Sequence, residues 1–352
     1  MGTYIENRET RDSAYAVRQN FFKDIEKYLL GFEQKAAENR LDVMWANNEE
    51  QLVSAIESLF KSKYNKVCFD MPEIPEALAN HHAVKQIKPQ KVENQESIPD
   101  IVITNADFAV AETGEIVLLD KKTQNCFNFV RNLIIVLDIG KIVARRTDLD
   151  LMLYILSDSK HGAPIHKDVK FIRQPFSHIE TAEFFSSTEN SYTRDEVKIT
   201  VILYDNGVSE ILRNENLREA LYCIDCGLCA KCCPVFAVTG KYTPIELVKA
   251  GISEQNSDII FKNTTLCGNC NSVCPVAIPF NELLTKEMTV SKEGAANQHL
   301  CKHLLKRNKM NALNNRFRRF FFLKRIFNKN KKLFNYFFSL KEDFFNIQQK
   351  EQ

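Results

Sequence analysis

A chain of 352 residues is long enough for two domains with buried cores. With 44% apolar and 26% charged residues, its composition is that of an ordinary soluble globular protein, and no apolar run reaches the roughly 18 residues that a spanning helix needs. The net charge of +2 hides an asymmetry: Lys302 to Lys341 holds thirteen Lys and Arg and no Asp or Glu, so an acidic body carries a basic tail. The first thirty residues mix Glu, Arg, Lys and Asp without an apolar core, so no signal peptide is expected and the location is read as cytoplasmic. Eleven cysteines in a reducing compartment fit metal binding better than disulfides.

Taken in chain order, residues 12–38 place Ala14, Val17, Phe21, Phe22, Ile25, Tyr28, Leu29 and Phe32 at helical spacing and predict one helix. A short strand is expected at Asp42–Ala46. Asn47 or Asn48 then caps a helix that carries Leu52, Ala55, Ile56, Leu59 and Phe60. Val67–Phe69 reads as a strand, and the polar, proline-bounded Lys85–Pro99 as an exposed loop. Strand-like runs follow at Asp100–Thr104, Phe108–Glu112, Ile116–Leu119 and Leu133–Leu137, then a helix at Asp148–Leu156 and a β-rich run at Val197–Tyr204 that ends on the turn signal Asp205-Asn206-Gly207. Ser157–Arg194 gives no clear pattern. This alternation predicts an α/β domain with a largely buried sheet. A short helix bearing Leu217, Ala220 and Leu221 leads into the cysteines, so a boundary is placed near residue 213. The expected organisation is an N-terminal helix over 1–40, an α/β domain over 41–213, a cluster domain over 214–300 and a helical basic tail over 301–352.

The cysteines carry the chemistry. Cys223, Cys226, Cys229 and Cys233-Pro234 follow the Cys-x2-Cys-x2-Cys-x3-Cys-Pro run of bacterial ferredoxins, in which the fourth cysteine serves the other cluster. Gly227 allows the chain to turn tightly between ligands, and Pro234 has the fixed φ and missing N–H suited to starting a helix. Cys267-Gly268, Cys270 and Cys274-Pro275 repeat the later part of the run. By the crossing rule, Cys223, Cys226, Cys229 and Cys274 hold one [4Fe-4S] cluster, while Cys233, Cys267 and Cys270 hold a second of [4Fe-4S] or [3Fe-4S] type. A complete second run would have a cysteine where Thr264 stands, so the fourth ligand is open, with Cys232 a further candidate. A zinc site is the competing reading, but zinc favours two paired knuckles, and this run of closely spaced thiols with two Cys-Pro steps fits it poorly. The thirty-three residues from Pro234 to Leu266, with Ile245, Leu247, Val248, Ile252, Ile259 and Ile260, predict helices between the clusters and so an α-helical ferredoxin domain. Cys68, Cys126 and Cys301 are read as small buried apolar groups. His81, His82, His161, His166, His178, His299 and His303 make no ligand spacing, and no Gly-rich phosphate loop or dinucleotide fingerprint occurs.

The run Asn105-Ala106-Asp107-Phe108-Ala109-Val110-Ala111-Glu112-Thr113-Gly114 resembles the signature of the LUD domain. Val201 to Gly207, then Leu217-Arg218-Glu219-Ala220-Leu221 and Cys223, resembles the junction of the lactate-utilisation protein B family. The resemblance covers roughly residues 40–290 and implies a fold similar to phosphosugar isomerases and coenzyme A transferases. It also implies an iron–sulfur electron-transfer subunit that acts with other subunits of a complex oxidising L-lactate to pyruvate. The family's Lys-Ser and Glu-Glu motif has no match; Val67–Pro75 stands where it would fall. The alternative is an enzyme in which the LUD domain binds an organic acid or thioester at Asp107, Glu112, Thr113 and Gly114, with the clusters as its redox partner. Read alone, those four residues make an ordinary hairpin turn.

In the tail, Leu313, Phe317, Phe320, Leu323, Phe327, Phe334, Phe337, Phe338 and Phe345 lie near one helical face, with Arg and Lys on the rest. Docking on protein ranks first for this segment. An anionic membrane surface, met by residues 302–345 at the inner face of the membrane, ranks second. No nucleic-acid partner is expected.

Overall fold

The computed structural model describes residues 8–60, 65–82, 84–86, 98–123, 126–127, 129–163, 168–176, 196–250, 259–260 and 263–290. The basic tail and Cys301 lie outside these residues. The chain divides into two compact units, one of residues 16–209 and one of residues 1–15 with 210–352.

The first of these begins within a helix. The single helix expected over 12–38 is two helices, α1 (Arg8–Lys23) and α2 (Ile25–Glu38). Asp24 separates them because its ψ of 34° takes one peptide out of the helical ladder. β1 (Asp42–Ala46) follows, then α3 (Glu49–Ser58), whose N-cap Asn48 accepts a hydrogen bond from the Gln51 N–H. Next come β2 (Asn65–Asp70), α4 (Glu76–Ala79) and β3 (Val84–Gln86). Lys85 and Gln86 therefore pair in a strand, where a loop was expected; a charged, polar edge strand carries no apolar alternation to reveal it. The remaining strands are β4 (Ile101–Asn105), β5 (Phe108–Val110), β6 (Glu115–Leu119), β7 (Asn132–Asp138), β8 (Ile142–Val143), β9 (Val169–Ile172) and β10 (Lys198–Tyr204), with α5 (Arg146–His161) between β8 and β9.

Six strands form a parallel sheet in the order β1-β10-β7-β4-β2-β3. Its central strands are buried on both faces, which is why Leu133–Leu137 and Ile199–Leu203 read as nearly unbroken apolar runs. On one face Leu52, Ala55 and Ile56 of α3, with Leu78 of α4, pack on Val67, Ile101, Ile103, Ile134, Val136 and Ile202.

Of a second sheet, β8-β5-β6-β9, only the central β5-β6 hairpin was legible in the sequence. β8 has only two residues, and β9 falls in the stretch without a pattern. β5 and β6 form an antiparallel hairpin; β8 adds in parallel and β9 antiparallel. Here the side chain of Glu115 is wholly buried and faces two arginines, Arg146 of α5 at 3.2 Å and Arg173 beyond β9 at 2.5 Å. Arg146 also lies over the Phe171 ring, 4.8 Å from its centroid. A carboxylate without water needs such partners.

In the unit that carries the cysteines, a 3-10 turn at Arg218–Tyr222 opens onto short helices at Leu228–Cys232, Pro234–Thr239, Pro244–Ala250 and Asn269–Val273, and a longer helix at Phe280–Val290. Its apolar centre includes Val235, Leu247, Val248, Phe280, Leu283 and Leu284.

Candidate iron–sulfur centre

The two cysteine runs fold alike. In each, a glycine in the left-handed region starts a short helix: Gly227 at φ 75° before Leu228–Cys232, and Gly268 at φ 81° before Asn269–Val273. A side chain at such a φ is strained, so the turn that brings Cys226 and Cys229 together, or Cys267 and Cys270, favours glycine. Each helix ends on an extended cysteine before proline, Cys233 (φ −80°, ψ 117°) and Cys274 (φ −67°, ψ 118°). Extended backbone is what a residue before proline prefers, and it carries the thiol away from its own run.

Two cavities result. The first, about 210 Å³, is lined by Cys223, Cys226, Cys229 and Cys274, together with Ile245, Val276 and Phe280. The second, about 20 Å³, is lined by Cys233, Cys267 and Cys270, with Thr264, Pro244 and Leu284 among its other walls. Each cavity therefore gathers thiols from both runs. Backbone N–H groups point at the sulfurs: Asp225 donates to Cys223, Phe236 to Cys233 and Ile278 to Cys274, each at 3.4 Å. Such donors stabilise anionic sulfur and tune a cluster's potential. Among the described residues no three His, Cys, Asp or Glu converge tightly enough for a single metal ion. The donor sets, four soft thiols around one void and three around another, fit iron–sulfur clusters.

Cys232 behaves differently. Its thiol lies near enough to Cys233, Cys267 and Cys270 to interact with them electrostatically, yet it donates to the Cys229 carbonyl at 3.3 Å, along its own helix, and is absent from the walls of both cavities. Burial pushes the Cys229 thiol up to about 12, with Cys226 and Cys274 adding to the effect. Burial also raises Cys274 to about 11, against the N–H donors of Ile278 and Val276. Without metal the Cys229 and Cys274 thiols are thus neutral near pH 7, and metal binding expels their protons. Arg11 braces the second run by donating from Nε to the Cys274 carbonyl and from Nη2 to the Asn271 carbonyl, each at 2.9 Å. Nothing in the sequence marked Arg11, because its partners are backbone atoms more than 250 residues away.

Cys68 and Cys126 are buried, as expected of small apolar groups. In the unit of residues 16–209 the hairpin residues are engaged by the fold itself. Asp107 accepts from the Leu119 N–H at 2.8 Å and pairs with Lys121 at 3.1 Å. Glu112 accepts from the Arg146 N–H at the start of α5, and Thr113 from the Glu115 N–H. Gly114 has φ 69°, and a Cβ there would come within 2.7 Å of the α2 backbone at Lys35 and Ala36. Gly114→Ala is therefore expected to lower stability by about 1–3 kcal/mol, measured by denaturant midpoint; an unchanged midpoint would mean that α2 yields freely. The sheet also reverses its winding between β2 and β4, where polar groups meet: Asp70 accepts from the Thr123 N–H and hydroxyl, and Lys121 donates to Asn105.

Residues 29–199 match the LUD domain model, and residues 219–278 match that of a 4Fe-4S dicluster domain. The chain is a LUD-domain protein with a 4Fe-4S dicluster domain. The electron transport protein YkgF of Escherichia coli is 26% identical over 243 residues, covering 65% of this chain and 47% of that protein. Lactate utilization protein B of Bacillus cytotoxicus is 23% identical over 360 residues, covering 82% of this chain and 73% of its own length. The protein of the same name from Shouchella clausii is 29% identical over 205 residues, covering 55% and 40%. The LUD-domain chain spans about half the length of most of these relatives. A solved DUF162 family protein from Deinococcus radiodurans aligns with 51% of the chain and 97% of its own at a TM-score of 0.35 and 15% identity.

Proposed function

We propose that the LUD-domain chain is the iron–sulfur electron-transfer subunit of a complex that oxidises L-lactate to pyruvate. The observation that carries this reading is the pair of cavities in which thiols from both runs meet, Cys274 beside Cys223, Cys226 and Cys229, and Cys233 beside Cys267 and Cys270. The names of the relatives, electron transport protein and lactate utilization protein B, support the direction of the reading. Bound clusters would supply one-electron carriage between a partner that handles two-electron chemistry and an acceptor. The chain's own part is to hold each cluster by its thiols, to donate N–H groups to the sulfurs, and to exclude water with Ile245, Val276, Ile278 and Phe280 on one side and Leu247 and Leu284 on the other.

Asp107, Glu112, Thr113 and Gly114 remain the place to look for an organic acid, but their present bonds are all to the chain itself. Among the described residues no helix is long and apolar enough to cross a membrane. Residues 302–345 belong in the reading as a docking segment for a partner subunit, with an anionic membrane surface as the competing target.

The test is anaerobic purification of the full chain, iron and sulfide quantitation, and EPR after reduction. Reducible clusters, with lactate oxidation only when partner subunits are added, are the expected result. Lactate turnover by the chain alone would favour an enzyme with its own substrate site, and a chain without acid-labile sulfide would remove the electron-carrier reading.

A further inference from the structure

The two cysteine runs correspond position by position: Cys226 to Cys267, Gly227 to Gly268, Cys229 to Cys270, Cys233 to Cys274 and Pro234 to Pro275. Extending the match toward the N-terminus sets Cys223 against Thr264 and Asp225 against Leu266, and extending it between the matched cysteines sets Cys232 against Val273.

The backbone keeps this correspondence even where the residues differ. Asp225 and Leu266, neither of them glycine, both take left-handed φ, 54° and 48°. In the first run the Asp225 N–H donates to the Cys223 sulfur at 3.4 Å. In the second the Leu266 N–H donates to the Thr264 hydroxyl oxygen at 3.2 Å. A left-handed φ is uncommon outside glycine, and for a bulky residue such as Leu266 it persists only where the surroundings impose it. The second run has thus kept the strained turn that presents a ligand, with an oxygen in place of the sulfur. Thr264 lines the second cavity, as Cys223 lines the first. Cys232 stands at the position of Val273, a non-ligand, and its thiol is bonded to the Cys229 carbonyl.

We propose that the Thr264 hydroxyl faces the fourth corner of the second cluster, so that the iron there has an oxygen neighbour instead of a fourth thiolate and is exchangeable. This rests on the electron-carrier reading above and adds an asymmetry to it: one cluster is closed by four thiols, the other has a corner that can lose iron or accept an external ligand. Oxygen is a poorer partner than thiolate for iron in such a cluster. A one-electron oxidant such as ferricyanide would take one electron, and the corner iron would leave as Fe(II) by breaking its contact with Thr264, while Cys233, Cys267 and Cys270 keep theirs.

The test uses the full chain, purified anaerobically, and reads EPR and Mössbauer spectra before and after ferricyanide. Wild type is expected to develop a three-iron EPR signal on oxidation and to lose it when Fe(II) and reductant are restored. Thr264→Cys is expected to suppress that signal, since it completes the thiol set without altering the turn. Cys232→Ser is expected to behave as wild type. The spectrum of the first cluster serves as the internal measure of folding in every variant. The inference is overturned if wild type resists oxidation, if Thr264→Cys leaves the signal unchanged, or if Cys232→Ser creates or enlarges it. Absence of iron and sulfide from wild type would instead sink the electron-carrier reading itself, and this inference with it.

Discussion

Cys274→Ser is expected to remove the first cluster and spare the second, while Cys233→Ser does the reverse. Each thiol sits, in sequence, in the run whose other cysteines serve the opposite site. Cys274 lies beside Cys223, Cys226 and Cys229, and Cys233 beside Cys267 and Cys270. The extended backbone before Pro234 and Pro275 sends each thiol across. Each serine variant should retain about half of the wild-type iron, because one of the two sites stays complete. EPR identifies which site survives: Cys274→Ser should keep the oxidation-sensitive three-iron signal and Cys233→Ser should lose it. If instead each variant loses the cluster of its own run, the crossing is wrong, whatever the total iron.

The second large effect concerns stability. Arg146→Ala is expected to cost about 3–5 kcal/mol, because it strips a partner from a carboxylate that has no solvent access. Glu115 has zero side-chain exposure, whereas Arg146 and Arg173 are 33% and 68% exposed. That asymmetry makes the order of effects informative. Removing the carboxylate leaves two cations that can turn to water; removing an arginine leaves a buried anion that cannot. Glu115→Gln should therefore be milder than Arg146→Ala, and adding Glu115→Gln to Arg146→Ala should recover part of the loss. Urea midpoints for the two single variants and the double variant measure this, and a double variant no more stable than Arg146→Ala would contradict it. Arg173→Ala should fall between, since its guanidinium is the more exposed but makes the closer contact.

Both effects connect to what could be read from the chain in advance. The cysteine spacing is local chemistry, and Cys-x2-Cys-x2-Cys-x3-Cys-Pro carries its meaning in constraints that neighbours in sequence impose on one another. Strands such as β7 and β10 were legible because burial on both faces demands unbroken Ile, Val and Leu. The Asn48 cap was legible because capping is a matter of three or four residues. By contrast, β3 and β8 are too short or too polar to leave a pattern, and the break at Asp24 has no proline or glycine to announce it.

The partners of Glu115 were hidden for a different reason. Glu115 stands just before the strand expected at Ile116–Leu119, and its ion pairs bridge from β6 to α5 and to the segment after β9. The hairpin residues Asp107, Glu112, Thr113 and Gly114 were picked out by family resemblance, and the fold gives each a bond or close packing within the chain. The bracing of Cys274 and Asn271 by Arg11 likewise joins segments at opposite ends of the sequence.

The sequence by itself determined that seven cysteines form two sets, that an α/β domain precedes them, and that Thr264 interrupts the second set. Those are consequences of spacing and periodicity, which depend on near neighbours alone. Only the tertiary structure decided that Thr264 keeps the strained turn of Cys223, that Cys232 turns its thiol back onto its own helix, and that a second sheet buries Glu115 between two arginines. The bonds of Thr264 and Cys232 are local but are not fixed by cysteine spacing, whereas the burial of Glu115 depends on where distant segments meet, and an ion pair between such segments leaves no periodic trace in the chain.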